Sequence, residues 1–131
     1  MNLQGYVFSR PFMGERVPQH VQNIVIRDYC VRNGFHYLLS ATEYAMENCH
    51  LILSQVLDDL VQIDGIVAYS LFQLPEVSED RQRVYTKIMS LGKCMHFAVE
   101  GLHMSNTTGL ESIESLWRIR KTLSLCPQTI I

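Results

Sequence analysis

Short apolar segments typical of buried β-strands alternate along this chain with longer segments that have the period of an amphipathic helix. The strand-like segments are residues 4–9, 35–39, 65–71 and 94–99, and the helix-like segments are residues 18–33, 48–62, 78–91 and 110–123. A single helix between successive strands requires crossover connections, which make the strands parallel and place helices on both faces of the sheet. Because 131 residues provide one compact core and not two, we predict a single three-layer α/β domain over residues 1–131. We expect a mainly parallel sheet of four strands, or five if residues 101–109 form a short edge strand, with the last helix outside the sheet.

Each strand-like segment ends in a polar residue. These residues are Ser9, Ser40, Ser70 and Glu100. The carboxyl ends of parallel strands gather at one edge of an open sheet, and ligands bind there, where the strand order reverses. The sequence therefore predicts a site at this edge without indicating which reaction takes place.

The pair Ser9-Arg10 at the end of the first strand is suited to an anion such as a phosphate or a sugar carboxylate. A guanidinium offers a rigid fork of donors, and the start of the following helix adds unpaired amides and the positive end of a dipole. The loop at residues 12–16, which contains Arg16, could fold over such a ligand. The alternative is that Arg10 forms an ion pair with Glu15 or Glu43 in the loops.

Polar side chains near the first two strands supply further candidates. Gln19 and Gln22 lie three residues apart, which puts them on one face of the first helix, where two amides can recognise hydroxyl groups. Glu43 and Tyr44, in the predicted loop after the second strand, offer a carboxylate and a phenol for acid–base chemistry or for hydrogen bonds to a sugar. The alternatives are surface glutamines and a solvated loop glutamate.

Ser70 and Gln73 follow the third strand, and Glu100 ends the fourth, where it is a better acid–base candidate than His96 within that strand. Ordinary loop packing is the alternative for Ser70 and Gln73. The candidate catalytic residues are therefore Ser9, Glu43 and Glu100, and the candidate ligand-binding residues are Arg10, Arg16, Gln19, Gln22, Tyr44, Ser70 and Gln73.

Composition excludes several classes of protein and site. The net charge of −2 and the scattered basic residues disfavour nucleic acid as a partner. The four cysteines form no Cys-x-x-Cys pair, and the histidines lack the spacing of metal ligands, so we predict no metal and no cofactor. We expect no leader peptide, because the first residues lack a basic segment followed by a long apolar one, and no apolar run approaches the roughly 20 residues that span a membrane. These features predict a cytoplasmic protein that is not inserted in a membrane.

The layout of the chain resembles the catalytic domain of the serine recombinases, the resolvases and invertases. Gly5-Tyr6-Val7-Phe8-Ser9 is similar to the opening Gly-Tyr-x-Arg-x-Ser of that family, Gln22 follows as a helix glutamine, and Tyr69-Ser70-Leu71-Phe72-Gln73-Leu74 stands where the family has Lys-Leu-Asp-Arg-Leu. The segment from Glu100-Gly101 to Thr108-Gly109 resembles its loop after the fourth strand. The resemblance implies a resolvase-like fold.

The departures from this family bear on activity. Serine recombinases use several arginines to stabilise the phosphoryl transition state. Here Phe8 and Phe72-Gln73 occupy motif positions of arginine and Asp-Arg, Glu76 replaces a further basic residue, and Met46-Glu47-Asn48 lacks the Asp-Arg of the second loop. Strand exchange by Ser9 is therefore disfavoured.

A closer resemblance covers nearly the whole chain. Five strings resemble the bacterial sporadic carbohydrate cluster family, and they are Gly-Tyr-Val-Phe-Ser-Arg-Pro-Phe, Val-Pro-Gln-His-Val-Gln-Asn, Leu-Ser-Ala-Thr-Glu-Tyr-Ala-Met, Tyr-Ser-Leu-Phe-Gln-Leu-Pro and His-Phe-Ala-Val-Glu-Gly-Leu. This resemblance implies a role in surface polysaccharide synthesis, with an anionic sugar or nucleotide sugar bound or modified at the strand ends. The alternatives are a non-catalytic accessory protein that docks on an enzyme of that pathway, and a degenerate serine recombinase-like domain that processes DNA.

The last helix predicts self-association. Leu110, Ile113, Leu116 and Trp117 give it an apolar stripe, and Ile119 lies off that stripe. In the resolvase-like family the corresponding helix is the dimer contact, so a symmetric homodimer through this helix is expected.

Overall fold

The computed structural model describes residues 1–105 and 107–125 and contains one five-stranded sheet in the order β2-β1-β3-β4-β5. The strands are β1 (Asn2–Phe8), β2 (His36–Glu43), β3 (Gly65–Ala68), β4 (Cys94–Phe97) and β5 (Leu102–Met104). The first four are parallel, and β5 pairs antiparallel with β4 at the edge of the sheet. The predicted mainly parallel sheet is confirmed, and residues 102–104 form the short edge strand of the two alternatives considered.

Four α-helices and two 3-10 turns connect the strands. The helices are α1 (Gln19–Asn33), α2 (Leu51–Asp58), α3 (Ser78–Ser90) and α4 (Thr107–Leu125), and the turns are Leu60–Gln62 and Leu71–Gln73. The order β2-β1-β3 reverses direction at β1, so the switch point of the sheet lies at the carboxyl end of β1. This placement puts Ser9 and Arg10, which follow β1, at the point where open parallel sheets bind ligands.

The second strand is longer than predicted, and its extension changes the position of one candidate. Ser40 lies inside β2, because β1 continues to offer hydrogen-bonding partners past an irregularity at Gly5, up to the pairing of Phe8 with Glu43. The prediction that Ser40 ends the strand was therefore wrong. Glu43 is the last residue of β2 instead of a loop residue.

Two apolar layers flank the sheet. The smaller layer packs α1 on the sheet through Ile26 and Cys30, and the larger layer receives α2, α3 and α4 on the opposite face. The sequence predicts an apolar stripe of Val21, Ile24, Val25 and Tyr29 on this helix, and this prediction was partly wrong: Tyr29 is buried, but Ile24 is 61% exposed, whereas Ile26, outside that set, is fully buried. The helix is apolar at several adjacent positions, and only its packing on the sheet selects the buried ones.

Helix α4 uses its apolar stripe within the domain. Ile113 and Trp117 are buried in the larger layer, Leu110 and Leu116 pack against it, and Ile119 is exposed. The stripe on which the homodimer prediction was based is therefore covered by the chain itself. Leu123 and residues 126–131, which the sequence placed on this helix and in the tail after it, lie outside what the structure describes at side-chain level. No helix among the described residues has the length and apolar character needed to cross a membrane.

Candidate functional site

Three of the four residues predicted to end strands, Ser9, Ser70 and Glu100, lie along the carboxyl edge of the sheet, and together with Glu43 they form two separate clusters. Ser9 and Glu43 meet at the ends of β1 and β2, where the Ser9 hydroxyl donates a 2.7 Å hydrogen bond to the Glu43 carbonyl oxygen. Ser70 and Glu100 meet after β3 and β4, where the Ser70 hydroxyl donates a 2.8 Å bond to the Glu100 carboxylate. The topology thus gathers the residues at one edge, as predicted, without joining them in one constellation.

Glu43 anchors the start of α2. Its buried carboxylate accepts hydrogen bonds from the amides of Ile52 and Leu53 and of Tyr44, each at 3.1 Å, and from the Tyr6 hydroxyl at 2.9 Å. Burial opposes ionisation, but the hydrogen bonds from Ile52, Leu53 and Tyr6 outweigh it and hold the pKa of Glu43 below its usual value. A carboxylate that caps a helix and stays ionised is suited to holding the fold together, and poorly suited to general acid–base catalysis.

Arg10 has the geometry of an anion-binding residue. Its Nη1 donates a 2.8 Å hydrogen bond to the carbonyl oxygen of Tyr44, and its guanidinium carbon lies 4.1 Å from the centre of the Phe8 ring. The ion pairs found among the described residues do not include Arg10, so pairing with Glu15 or Glu43 is not observed. The remaining donors of the guanidinium have no acceptor within the described part of the chain. Arg10 is therefore a positioned cation that no carboxylate of the described residues pairs with.

A cavity of about 410 Å³ lies beside Arg10. Its lining combines Arg10 with three phenylalanine rings, one histidine, two glutamates and several uncharged residues, and comprises Phe8, Arg10, Pro11, Phe12, Met13, Gly14, Glu47, Asn48, His50, Phe72, Leu74 and Glu76. Ser9 is not among these residues. The flat apolar rings and the Arg10 guanidinium, which forms no ion pair with Glu47, Glu76 or any other described residue, are suited to a small ligand that has both an apolar face and an anionic group.

Two segments of this cavity have left-handed backbone at residues other than glycine. Met13 has φ 52° and Asn48 has φ 59°, and both line the cavity. Met13 forms a tight turn with Gly14 (φ 76°), closed by reciprocal hydrogen bonds between Phe12 and Glu15. Such conformations cost roughly 1–3 kcal/mol each and concentrate at ligand-binding sites. Their shared location supports the assignment of this cavity as the site.

His50 is a site residue that the sequence reasoning missed. Its Nε2 lies 3.3 Å from the carbonyl oxygen of Gln73, and its ring packs against Phe8 at 5.8 Å between centres. Burial and the nearby charge of Arg10 lower the pKa of His50. The order of elements could have identified His50. It directly precedes α2, the helix that follows β2, and the connection from a parallel strand to the next helix lies at the carboxyl edge of the sheet.

A pair of buried amides lies behind the cavity. The Gln22 side chain exchanges hydrogen bonds with both backbone groups of Phe8 (3.0 and 2.9 Å) and accepts one from Gln73 Nε2 at 2.8 Å. Gln73 Oε1 is buried and has no partner among the described residues. Gln19 is exposed at the first residue of α1, while Gln22 is fully buried, so the two amides are not presented together at the surface. Gln22 and Gln73 fix the end of β1 beneath the site.

The remaining candidates lie outside the cavity. Ser70 caps the 3-10 turn Leu71–Gln73 by accepting a hydrogen bond from the Phe72 amide, and Glu100 accepts one from the Leu71 amide at 2.9 Å. Arg16 and Tyr44 are exposed. Among the described residues no group of three or more histidine, cysteine, aspartate or glutamate side chains is arranged to hold a metal ion.

Comparisons with known proteins identify the fold. The chain matches no protein-family model and has no significant similarity to a curated protein sequence. It is similar in structure to the N-terminal catalytic domain of TP901-1 integrase, with a TM-score of 0.62 and 14% identity over 92% of this chain and 96% of that domain. A resolvase family site-specific recombinase from Streptococcus pneumoniae gives a TM-score of 0.65 and 9% identity over 92% of this chain and 89% of its own. The predicted resolvase-like fold is confirmed, whereas these comparisons give no support to the sporadic carbohydrate cluster family.

Proposed function

We propose that this chain is a resolvase-fold domain that binds a small anionic sugar, a sugar phosphate or nucleotide sugar, in the Arg10 cavity and does not exchange DNA strands. The observation that carries the proposal is the Arg10 guanidinium, which is stacked on Phe8, hydrogen-bonded on one side only, and without a carboxylate partner in the described chain. The surface-polysaccharide context comes from the sequence resemblance alone.

The chemistry around Arg10 supports this ligand class. A phosphate accepts hydrogen bonds from the free donors of a guanidinium, and the charge assistance makes such bonds roughly twice as strong as neutral ones. The apolar face of a sugar ring packs on the edges and faces of rings such as Phe12 and Phe72, which line the same cavity. The cavity volume of about 410 Å³ is in the range of small-ligand sites.

The surroundings of Ser9 argue against nucleophilic chemistry there. Serine needs an adjacent base, and the hydrogen-bond partner of the Ser9 hydroxyl is the Glu43 carbonyl oxygen. In the motif Gly-Tyr-x-Arg-x-Ser counted from Gly5 and Tyr6, the serine position is occupied by Arg10, and Ser9 lies one residue earlier. Ser9 therefore lacks both the activation and the position of a recombinase nucleophile.

The test is a thermal-shift titration with glucose 1-phosphate, with glucose as the uncharged probe. We expect glucose 1-phosphate to raise the melting temperature and glucose to leave it unchanged. Arg10→Ala should weaken binding roughly 10- to 100-fold, the loss of one charge-assisted hydrogen bond, whereas the exposed Arg83→Ala should bind as the parent does. Equal binding by Arg10→Ala and the parent would refute the proposal.

The second candidate is a degenerate serine recombinase-like domain that processes DNA. The observation that favours it is the structural likeness to two recombinase domains. No comparison gives similar support to the carbohydrate role. It predicts a covalent protein–DNA adduct that mass spectrometry locates on Ser9 and that Ser9→Ala eliminates. An adduct on Ser9 would replace the first proposal, and its absence with duplex and nicked DNA would remove this candidate.

A symmetric homodimer through α4 is a separate proposal. Arg118 and Ile119 lie on the exposed side of α4, and Ile119 is 56% exposed. Sedimentation of the parent and of Ile119→Glu tests it, because a charge in a symmetric contact is doubled and should dissociate the dimer. A parent that sediments as a monomer at micromolar concentration refutes it.

A further inference from the structure

A second cavity, of about 690 Å³, runs along β4 and β5 on the side of the sheet that α1 covers. It reaches the amino ends of the parallel strands, at Asp64 and Lys93, and so lies away from the Arg10 cavity. We propose that this cavity is a ligand site for a small planar carboxylate, held by the ring nitrogen Nε2 of His96 and by Lys93. The proposal does not depend on the function assigned to Arg10.

His96 directs a hydrogen-bond donor into the cavity. The residue is 95% buried, and its Nδ1 lies 2.7 Å from the Tyr29 hydroxyl. We assign the Tyr29 hydroxyl as the donor to Nδ1, since it has no other acceptor within the described residues, and the proton of the neutral ring is then carried on Nε2. Nε2 has no hydrogen-bond partner in the described chain, and solvent can reach it. Since His96 lines the cavity, we take Nε2 to face the cavity.

Aromatic rings make the walls of this cavity flat. The His103 ring stacks on His96 with 5.1 Å between centres and 21° between planes, as the pairing of these two residues across β4 and β5 requires. Phe35 packs on the same imidazole at 4.8 Å, and Tyr29 at 5.6 Å. A ligand that reaches Nε2 therefore meets ring surfaces, which favour a planar molecule.

The charges that line the cavity favour a carboxylate. No carboxylate lies within 4.0 Å of the Lys93 ammonium in the described part of the chain, whereas Arg32 is already paired with Asp28. The one acidic residue of the lining, Asp64, accepts a 2.6 Å hydrogen bond from the amide of Asn2. The same lining thus holds a cation without a carboxylate partner in the described chain and a neutral N–H donor, the two kinds of group from which a carboxylate accepts hydrogen bonds.

The protonation state of His96 is consistent with this geometry. Burial, with a smaller contribution from His103, lowers the pKa of His96 to about 4, so the ring is neutral at physiological pH and its Nε2 keeps a single proton to donate. A bound carboxylate adds a negative charge beside the ring and must raise the pKa of His96.

The test is an NMR titration of the ¹⁵N-labelled full chain with benzoate, using benzyl alcohol as the probe with the same ring and no carboxylate. We expect the free protein to show the Nε2–H tautomer of His96, and benzoate to shift the His96 ring resonances saturably and to raise the pKa of this ring. Benzyl alcohol should do neither. Lys93→Met should weaken benzoate binding at least about fivefold, while Lys87→Met, an equivalent change on the exposed side of α3, should leave it unchanged.

Three results would each overturn the proposal. The first is an Nδ1–H tautomer, which reverses the donor on which the site depends. The second is an absence of saturable shifts at His96 up to tens of millimolar benzoate, or equal shifts with benzyl alcohol. The third is unchanged benzoate affinity in Lys93→Met. Because the key readout is made on the parent protein, a variant that fails to fold does not obscure the outcome.

Discussion

Replacing Glu43 by glutamine tests whether this residue holds the fold or performs chemistry. Glu43 is 1% exposed, and its carboxylate accepts hydrogen bonds from Tyr6, Tyr44, Ile52 and Leu53, two N–H or O–H donors on each oxygen, with the Cys49 thiol donating weakly to Oε2 at 3.8 Å. Glutamine keeps one oxygen and places an NH₂ group against the two donors that faced the other. Since a hydrogen bond to a charged acceptor is worth about 1.5–3 kcal/mol, we expect Glu43→Gln to lose about 3–5 kcal/mol of unfolding free energy.

The same substitution should change the dependence of stability on pH. The pKa of Glu43 is lower in the folded chain than the value of about 4.3 for an unfolded glutamate, so its contribution is fully present above that value. It is lost as the pH falls through the folded pKa, because the unfolded chain takes up the proton first. The parent should therefore lose stability on acidification below about pH 4.3 more steeply than Glu43→Gln does.

Urea denaturation followed by the fluorescence of the single tryptophan, Trp117, measures both effects. Glu47→Gln is the matched control, because Glu47 is an exposed glutamate in the segment after Glu43 and makes the same change of charge. We expect Glu47→Gln to lie within about 0.5 kcal/mol of the parent. A Glu43→Gln variant that loses less than about 1 kcal/mol would refute the capping role and return Glu43 to the candidates for catalysis.

Three further predictions concern stability. Because the pKa of His96 is about 4 in the folded chain and about 6.5 when unfolded, the free energy of unfolding should fall by up to about 3 kcal/mol between pH 6.5 and 4, and His96→Gln should remove this slope in urea titrations. Gly5→Ala should lower the free energy of unfolding by about 1–3 kcal/mol, because a Cβ there would lie 3.0 Å from the Cα of Ser40. A melting temperature equal to that of the parent would contradict this packing. Ser70→Ala should lower the free energy of unfolding, measured by calorimetry, by about 1–2 kcal/mol, because it removes the hydrogen bonds of the Ser70 hydroxyl to Glu100 and to the Phe72 amide. An unchanged melting temperature would show that this cap contributes nothing to stability.

The sequence by itself determined the order of elements and the edge of the sheet at which its polar residues gather. Periodicity and turn residues are local properties, and the alternation of strands and helices leaves few ways to connect a parallel sheet. The positions of Ser9, Arg10 and Glu100 at the carboxyl ends followed from that alternation alone. The buried state of Trp117 did not, because an apolar stripe on a helix is equally compatible with a core and with a dimer contact.

Only the tertiary structure decided which polar groups are used to hold the fold and which remain available. Glu43 caps a helix that begins eight residues later, Gln22 bonds to the end of β1 and to a residue 51 positions away, and Arg10 is left without a carboxylate partner in the described chain. These outcomes depend on distances between segments far apart in sequence, set by how the crossovers pack on the sheet. These distances cannot be read from a residue type and its place in a local pattern, which is why the contacts of His50 with Phe8 and of His96 with Tyr29 emerged only from the folded chain.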